Sequence, residues 1–162
     1  MKSFVLLLLI SQVFPVYAHS NHEHAVTNKQ SYDVVIHDPW VRSAPVNAPM
    51  LGVFMQIQNN TNHELKLLSA KAKGFQRVEL HRTTNHNGMM KMKKQQYMPI
   101  LAQSRLHLKP GSWHIMLIGP ESVPSEGKIV MIELEFDNSI VHTAYAVVKK
   151  GKIMMNHNSM DR

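Results

Sequence analysis

Ile129-Val130-Met131-Ile132-Glu133-Leu134-Glu135-Phe136 decides the fold class, because Val130, Ile132, Leu134 and Phe136 fall on one side of an extended chain and Glu133 and Glu135 on the other. A period of two over eight residues predicts a β-strand that buries one face and wets the other. Outward from it the sequence breaks into short apolar segments divided by Pro, Gly, Asn and Ser, and none sustains a helical period. The expected strands are 34–37, 52–59, 65–72, 77–82, 89–93, 105–108, 113–118, 129–136 and 141–148. Pro39, Pro45, Pro49, Pro99, Pro110, Pro120 and Pro124 are expected between strands or at their margins, where a missing N–H breaks no ladder. The pattern is that of an all-β sandwich or barrel in a single domain.

The organisation around that domain is also legible. Residues 1–18 carry one lysine, an apolar run from Val5 to Ile10 and the small-residue ending Val16-Tyr17-Ala18, the layout of a secretory signal peptide. The run is shorter than the ~20 residues a membrane span requires. Residues 19–31 form a polar segment with His19, His22 and His24, residues 32–149 the expected domain, and residues 150–162 a tail with Met154, Met155, His157 and Met160. An exported protein without stable membrane insertion is expected.

Composition narrows the chemistry. Eighteen Lys and Arg against eleven Asp and Glu give a formal charge of +7. These cations are scattered, with only Lys91, Lys93 and Lys94 tightly grouped, which argues against a nucleic-acid interface and leaves an acidic partner as the second reading. No Gly-rich phosphate loop, nucleophile elbow or zinc spacing motif is present. The chain has no Cys but twelve Met and eleven His.

Among these, His81, Met92, His114 and Met116 stand at spacing H-x10-M-x21-H-x-M. Two imidazoles and two thioethers make a soft, neutral donor set that suits copper(I) and that magnesium and calcium ignore. In Trp113-His114-Ile115-Met116-Leu117 the bulky apolar residues claim one face, so His114 and Met116 share the other. In Val78-Glu79-Leu80-His81 the same logic leaves His81 facing away from the core with Glu79. A turn within Thr83 to Gly88 makes the flanking strands a hairpin. Centred between His86 and Asn87, it puts His81 directly opposite Met92; a tight Asn87-Gly88 turn puts them diagonally, ~7–8 Å apart. How the His114 strand reaches this hairpin is not given by spacing. Met90 shares the face of Met92, and three readings stand for it: a ligand, a shield beside the ligands, or ordinary packing. Met50, Met55, Met98 and Met131 are expected in the core or its periphery, and His37, His63, His107 and His142 at the surface.

Val78-Glu79-Leu80-His81, Gly88-Met89-Met90-Lys91-Met92, Lys109 to Leu117 and Trp40-Val41-Arg42 together resemble the periplasmic copper chaperone (PCuAC-like) family, over about residues 34–148. The resemblance implies a cupredoxin-like β-sandwich of Greek-key type, with His81, Met92, His114 and Met116 as copper(I) ligands near the surface. It further implies delivery to a copper-accepting protein, either cytochrome oxidase subunit II at its dicopper site or a thioredoxin-like copper assembly factor. A monomeric, non-enzymatic carrier is expected, with the His- and Met-bearing tails as candidate copper(II) sites. Two alternatives stand beside it: a copper redox enzyme using His19 as a new N-terminus, and a secreted β-sandwich binding module with incidental methionines.

Overall fold

A computed structural model describes residues 33–151. The expected signal peptide, the His-bearing segment and nearly all of the Met/His tail lie outside the described residues. The chain forms β1 (Val34–Arg42), β2 (Met50–Asn59), β3 (Leu65–Lys71), β4 (Phe75–His86), β5 (Met89–Lys94), β6 (Met98–Ile100), β7 (Ser104–Leu108), β8 (Trp113–Pro120), β9 (Ile129–Phe136) and β10 (Val141–Lys149). Hydrogen bonding orders them β5-β4-β8-β7-β2-β1-β10-β9-β3-β6, and β8 also pairs with β2. The sheet is all-β in the expected sense, and its two halves share one core. Ile115 and Leu117 of β8, with Val53 and Ile57 of β2, join Ile132, Leu134 and Phe136 of β9 and Leu65 and Leu67 of β3 in a single buried cluster. Strand β9 alternates exposed and buried throughout, as its sequence predicts.

Two departures from expectation have clear causes. A tenth strand, β6, is a three-residue edge strand at the end of the sheet with Pro99 at its centre, opposite Lys66. Proline is tolerated there because an edge strand leaves one side of its backbone unpaired. Pro39 likewise lies inside β1, at a bulge between His37 and Trp40 where Asp38 takes a positive φ of 47°. The bulge absorbs the missing N–H, so β1 runs five residues beyond its expected end.

The connection that matters most joins β7 to β8. Met55 pairs with Leu108 and Val53 with Ile115, so β7 and β8 follow one line along β2. Between them Lys109, Pro110, Gly111 and Ser112 step out of the sheet. The excursion is closed by Lys109 N–H to the Trp113 carbonyl (2.9 Å) and Ser112 N–H to the Lys109 carbonyl (3.1 Å). Gly111 supplies the positive φ, 77°, that the reversal needs. Strand β8 thereby lies between β2 and β4. At the far end of β2, buried Asn59 donates to the carbonyls of His63 (2.8 Å) and Ile100 (3.0 Å), tying β2 to β6.

Candidate metal centre

The outer face of β8 carries His114 and Met116, opposite the core residues Ile115 and Leu117. His81 of β4 pairs directly with His114, and Glu79 pairs directly with Met116. The two imidazole rings are 5.7 Å apart, centre to centre. This supplies the contact between hairpin and His-x-Met strand that spacing left open. The β4–β5 hairpin takes the tighter of the two expected registers: Thr83 pairs with Met92 and His81 with Lys94. Asn87 (φ 51°) and Gly88 (φ 78°) form the two-residue turn, the doubly positive geometry that matches strand twist. Met92 therefore lies diagonally from His81 on the same face. Thr83 to His86, expected as loop, are strand.

The four side chains differ sharply in exposure. His114 is 4% and Met116 7% exposed, whereas Met92 is 60% exposed. Facing away from the core does not expose the β8 pair, and His114 lies within an aromatic row that reaches it from β2. Phe54 of β2 stacks 4.7 Å from Trp40 of β1 and 6.4 Å from His114. Trp40, Phe54, His114 and His81 thus form a row of rings across β1, β2, β8 and β4. Arg42 sits over Phe54 at 5.6 Å, and Lys149 over Trp40 at 5.5 Å.

Hydrogen bonding fixes which ring nitrogens are free. His114 Nδ1 lies 2.9 Å from the Ser112 carbonyl, which can only accept, so Nδ1 carries the proton. His81 Nε2 lies 2.9 Å from Glu79 Oε2. The hydrogen bond from His81 first, then that from Lys94, holds the Glu79 carboxyl down at about 2, against a smaller upward push from burial. Glu79 is an ionised acceptor, so His81 Nε2 is the donor. The remaining nitrogens, His81 Nδ1 and His114 Nε2, are buried without a hydrogen-bond partner. An unsatisfied buried acceptor costs ~1–3 kcal/mol, and the chemistry open to two such nitrogens on adjacent rings is donation to a Lewis acid. Burial pushes the His114 pKa below its ordinary value, with the Ser112 bond opposing and the neighbouring His81 adding to the fall. Among the described residues no three His, Cys, Asp or Glu side chains group as a metal set.

Other sequence expectations resolve unevenly. Met55 and Met98 are core residues, while Met50 and Met131 are exposed. His142, expected at the surface, is half-buried against Phe136, with its Nε2 unpartnered and its pKa lowered by burial. It pairs with Leu134 and so follows the inward face of β10. Met90 places its methyl carbon 3.7 Å from where a Cβ on Gly111 would sit, which puts it beside the β7–β8 excursion. Sequence reasoning missed Phe54 and gave Glu79 no role. The position of Glu79 two residues before His81, on the same face, was the available signal.

The arrangement defines a class: a cupredoxin-like β-sandwich with a His/Met face built on adjacent strands. The chain belongs to the LpqE-like family, whose sequence model matches residues 34–148. It is 28% identical over 122 residues to a Leifsonia xyli subsp. xyli protein, covering 75% of this chain and 72% of that one. That family and that relative both carry the word lipoprotein in their descriptions. An uncharacterized Rickettsia prowazekii protein is 28% identical over 106 residues, covering 62% of this chain and 58% of its own length. Among solved structures, the copper-bound PCuAC domain from PmoF2 superposes with a TM-score of 0.63 at 19% identity, over 74% of this chain and 94% of that domain. The solution structure of copper(I)-bound DR1885 from Deinococcus radiodurans gives 0.61 at 26% identity, over 73% and 78%.

Proposed function

We propose that this protein is a periplasmic copper(I) chaperone that holds the ion through His81, Met92, His114 and Met116 and passes it to an acceptor by ligand exchange. The carrying observation is the pair of unpartnered nitrogens, His81 Nδ1 and His114 Nε2, on rings 5.7 Å apart. Met116 is beside His114 on β8, and Met92 reaches the same face from β5. Neutral imidazole and thioether donors favour the singly charged, soft ion and add no charge to a partly buried site. The shared fold with copper-bound PCuAC domains, and the 26% identity to a copper(I)-bound protein, support the same reading.

Uneven exposure suits transfer. Met92 is the ligand an acceptor meets first, and its thioether can leave while the buried His114 and Met116 stay in place. The acceptor is a copper-accepting protein of cytochrome oxidase assembly, its subunit II or a thioredoxin-like factor, and the carrier itself is not an enzyme. Residues 1–18 act as the export signal, cleaved after Ala18, which an intact mass beginning at His19 would verify. Copper(I) competition titrations on wild type and on His81→Ala, Met92→Ala, His114→Ala and Met116→Ala test the site. Wild-type affinity in all four variants would refute it.

A further inference from the structure

Glu79 is the charged group built most tightly into this face. Its side chain is only 15% exposed, and its carboxylate takes three donors: His81 Nε2 at 2.9 Å on Oε2, and Arg77 Nε and Lys94 Nζ at 3.2 Å each on Oε1. These partners come from three different places. Arg77 precedes it on β4, His81 follows it, and Lys94 belongs to β5, where it pairs directly with His81. Across the sheet Glu79 faces Met116.

We infer that Glu79 is a positioning residue: its carboxylate holds His81 in the Nε2–H tautomer, leaving Nδ1 as the donor atom, while its contact with Lys94 braces that carboxylate from β5. The inference rests on the copper reading for its consequence but not for its geometry. A neutral imidazole has one donor and one acceptor nitrogen, and the outer partner decides which is which. A carboxylate behind a ligating imidazole also makes the free nitrogen a better donor. His114 obtains the same service from the Ser112 carbonyl, so each ring of the pair has its outer nitrogen occupied and its other nitrogen free. Lys94 and Arg77 have a separate effect. They neutralise Glu79, so the carboxylate orients His81 without presenting a competing ligand to the ion.

The test uses the full mature chain. Long-range ¹H–¹⁵N spectra of the copper-free protein report the His81 tautomer, and copper(I) competition against a chromogenic chelator reports affinity. The Nε2–H tautomer is expected in the wild type. Glu79→Leu should give a mixture of tautomers and a copper(I) affinity lower by ~10–100-fold, the usual effect of losing such an outer partner. Glu79→Gln, whose amide oxygen still accepts from Nε2–H, should restore the tautomer and most of the affinity. A wild-type Nδ1–H tautomer overturns the inference even if no variant folds. So does a folded Glu79→Leu protein with unchanged tautomer and affinity. A wild type that takes up no copper(I) refutes the copper reading alone, because the tautomer is read without metal.

Discussion

Gly52 and Phe54 divide one space on the outer face of β2: a Cβ on Gly52 would lie 2.9 Å from Phe54 Cζ. Gly52 also pairs directly with Met116. The missing side chain therefore lets the Phe54 ring lie flat along the strand, beside His114 and under Arg42. Gly52→Ala pushes the ring off this position. Overpacking of this kind costs ~1–3 kcal/mol, so the urea midpoint of the copper-free protein should fall. Copper(I) affinity should fall as well, because Phe54 is displaced from beside His114, at the position on β2 that pairs with Met116. An unchanged midpoint together with unchanged affinity would show that Phe54 has room to move.

The four ligand substitutions should separate by stability even where they agree in affinity. Met116 is buried, so Met116→Ala leaves a cavity and costs ~2–5 kcal/mol. Met92 is 60% exposed, and Met92→Ala should stay within ~0.5 kcal/mol of wild type. Paired chemical denaturation and copper(I) titration check this, and Met92→Ala is the variant whose affinity loss carries no folding component. A Met92→Ala protein destabilised as much as Met116→Ala would mean that β5 packs more tightly than its exposure indicates.

The pH dependence of the copper-free protein has a definite sign. His114 and His142 both have folded pKa values below the ordinary 6.5 because of burial. The folded state then binds these protons later than the unfolded chain, so their contribution is complete above ~6.5 and is lost as pH falls through the lower folded values. Glu79, lowered from 4.5 to about 2, adds a second stage whose contribution is present above 4.5 and drains away toward 2. The urea midpoint should be level above pH 7 and decline in two steps on acidification. A midpoint that rises between pH 7 and 5 would contradict the assignment. Proton competition at His114 also starts lower than an unperturbed imidazole would set it, so copper(I) retention should extend somewhat below ~6.5, the ordinary imidazole value.

Particular residues show why much of this was legible in the sequence and the rest was not. The alternation in Ile129 to Phe136 is local, and its burial pattern follows directly. The shared face of His114 with Met116, and of His81 with Glu79, also follows from period two. The pairing of His81 with His114 is different. It depends on Lys109 to Ser112 stepping out of the sheet so that β8 continues the line of β7 along β2, a long-range consequence that no local pattern encodes. The burial of His114 is likewise tertiary, since Phe54 reaches it from β2, with Trp40 of β1 behind that ring. Strand β6 was too short, with Pro99 at its middle, to register as a strand. Asn87-Gly88 did carry the deciding signal for the hairpin, but its turn competed with a second register that only the folded backbone excludes.

That turn gives the last expectation. Asn87 and Gly88 both adopt positive φ, which is costly for a residue bearing a Cβ and free for glycine. Gly88→Val places a β-branched side chain in that conformation, where nothing else crowds it, since no heavy atom lies within 4 Å of a Cβ there. The loss is therefore one of backbone strain, ~1–2 kcal/mol, and it falls on the hairpin rather than on the core. Amide exchange should accelerate across Thr83 to Met92 while β9 and β10 keep their protection. Because the turn sets the register that places Met92 diagonal to His81, copper(I) affinity should drop toward that of Met92→Ala and no further. An affinity well below Met92→Ala would mean that the strain passes through β4 into the His81–His114 pair itself.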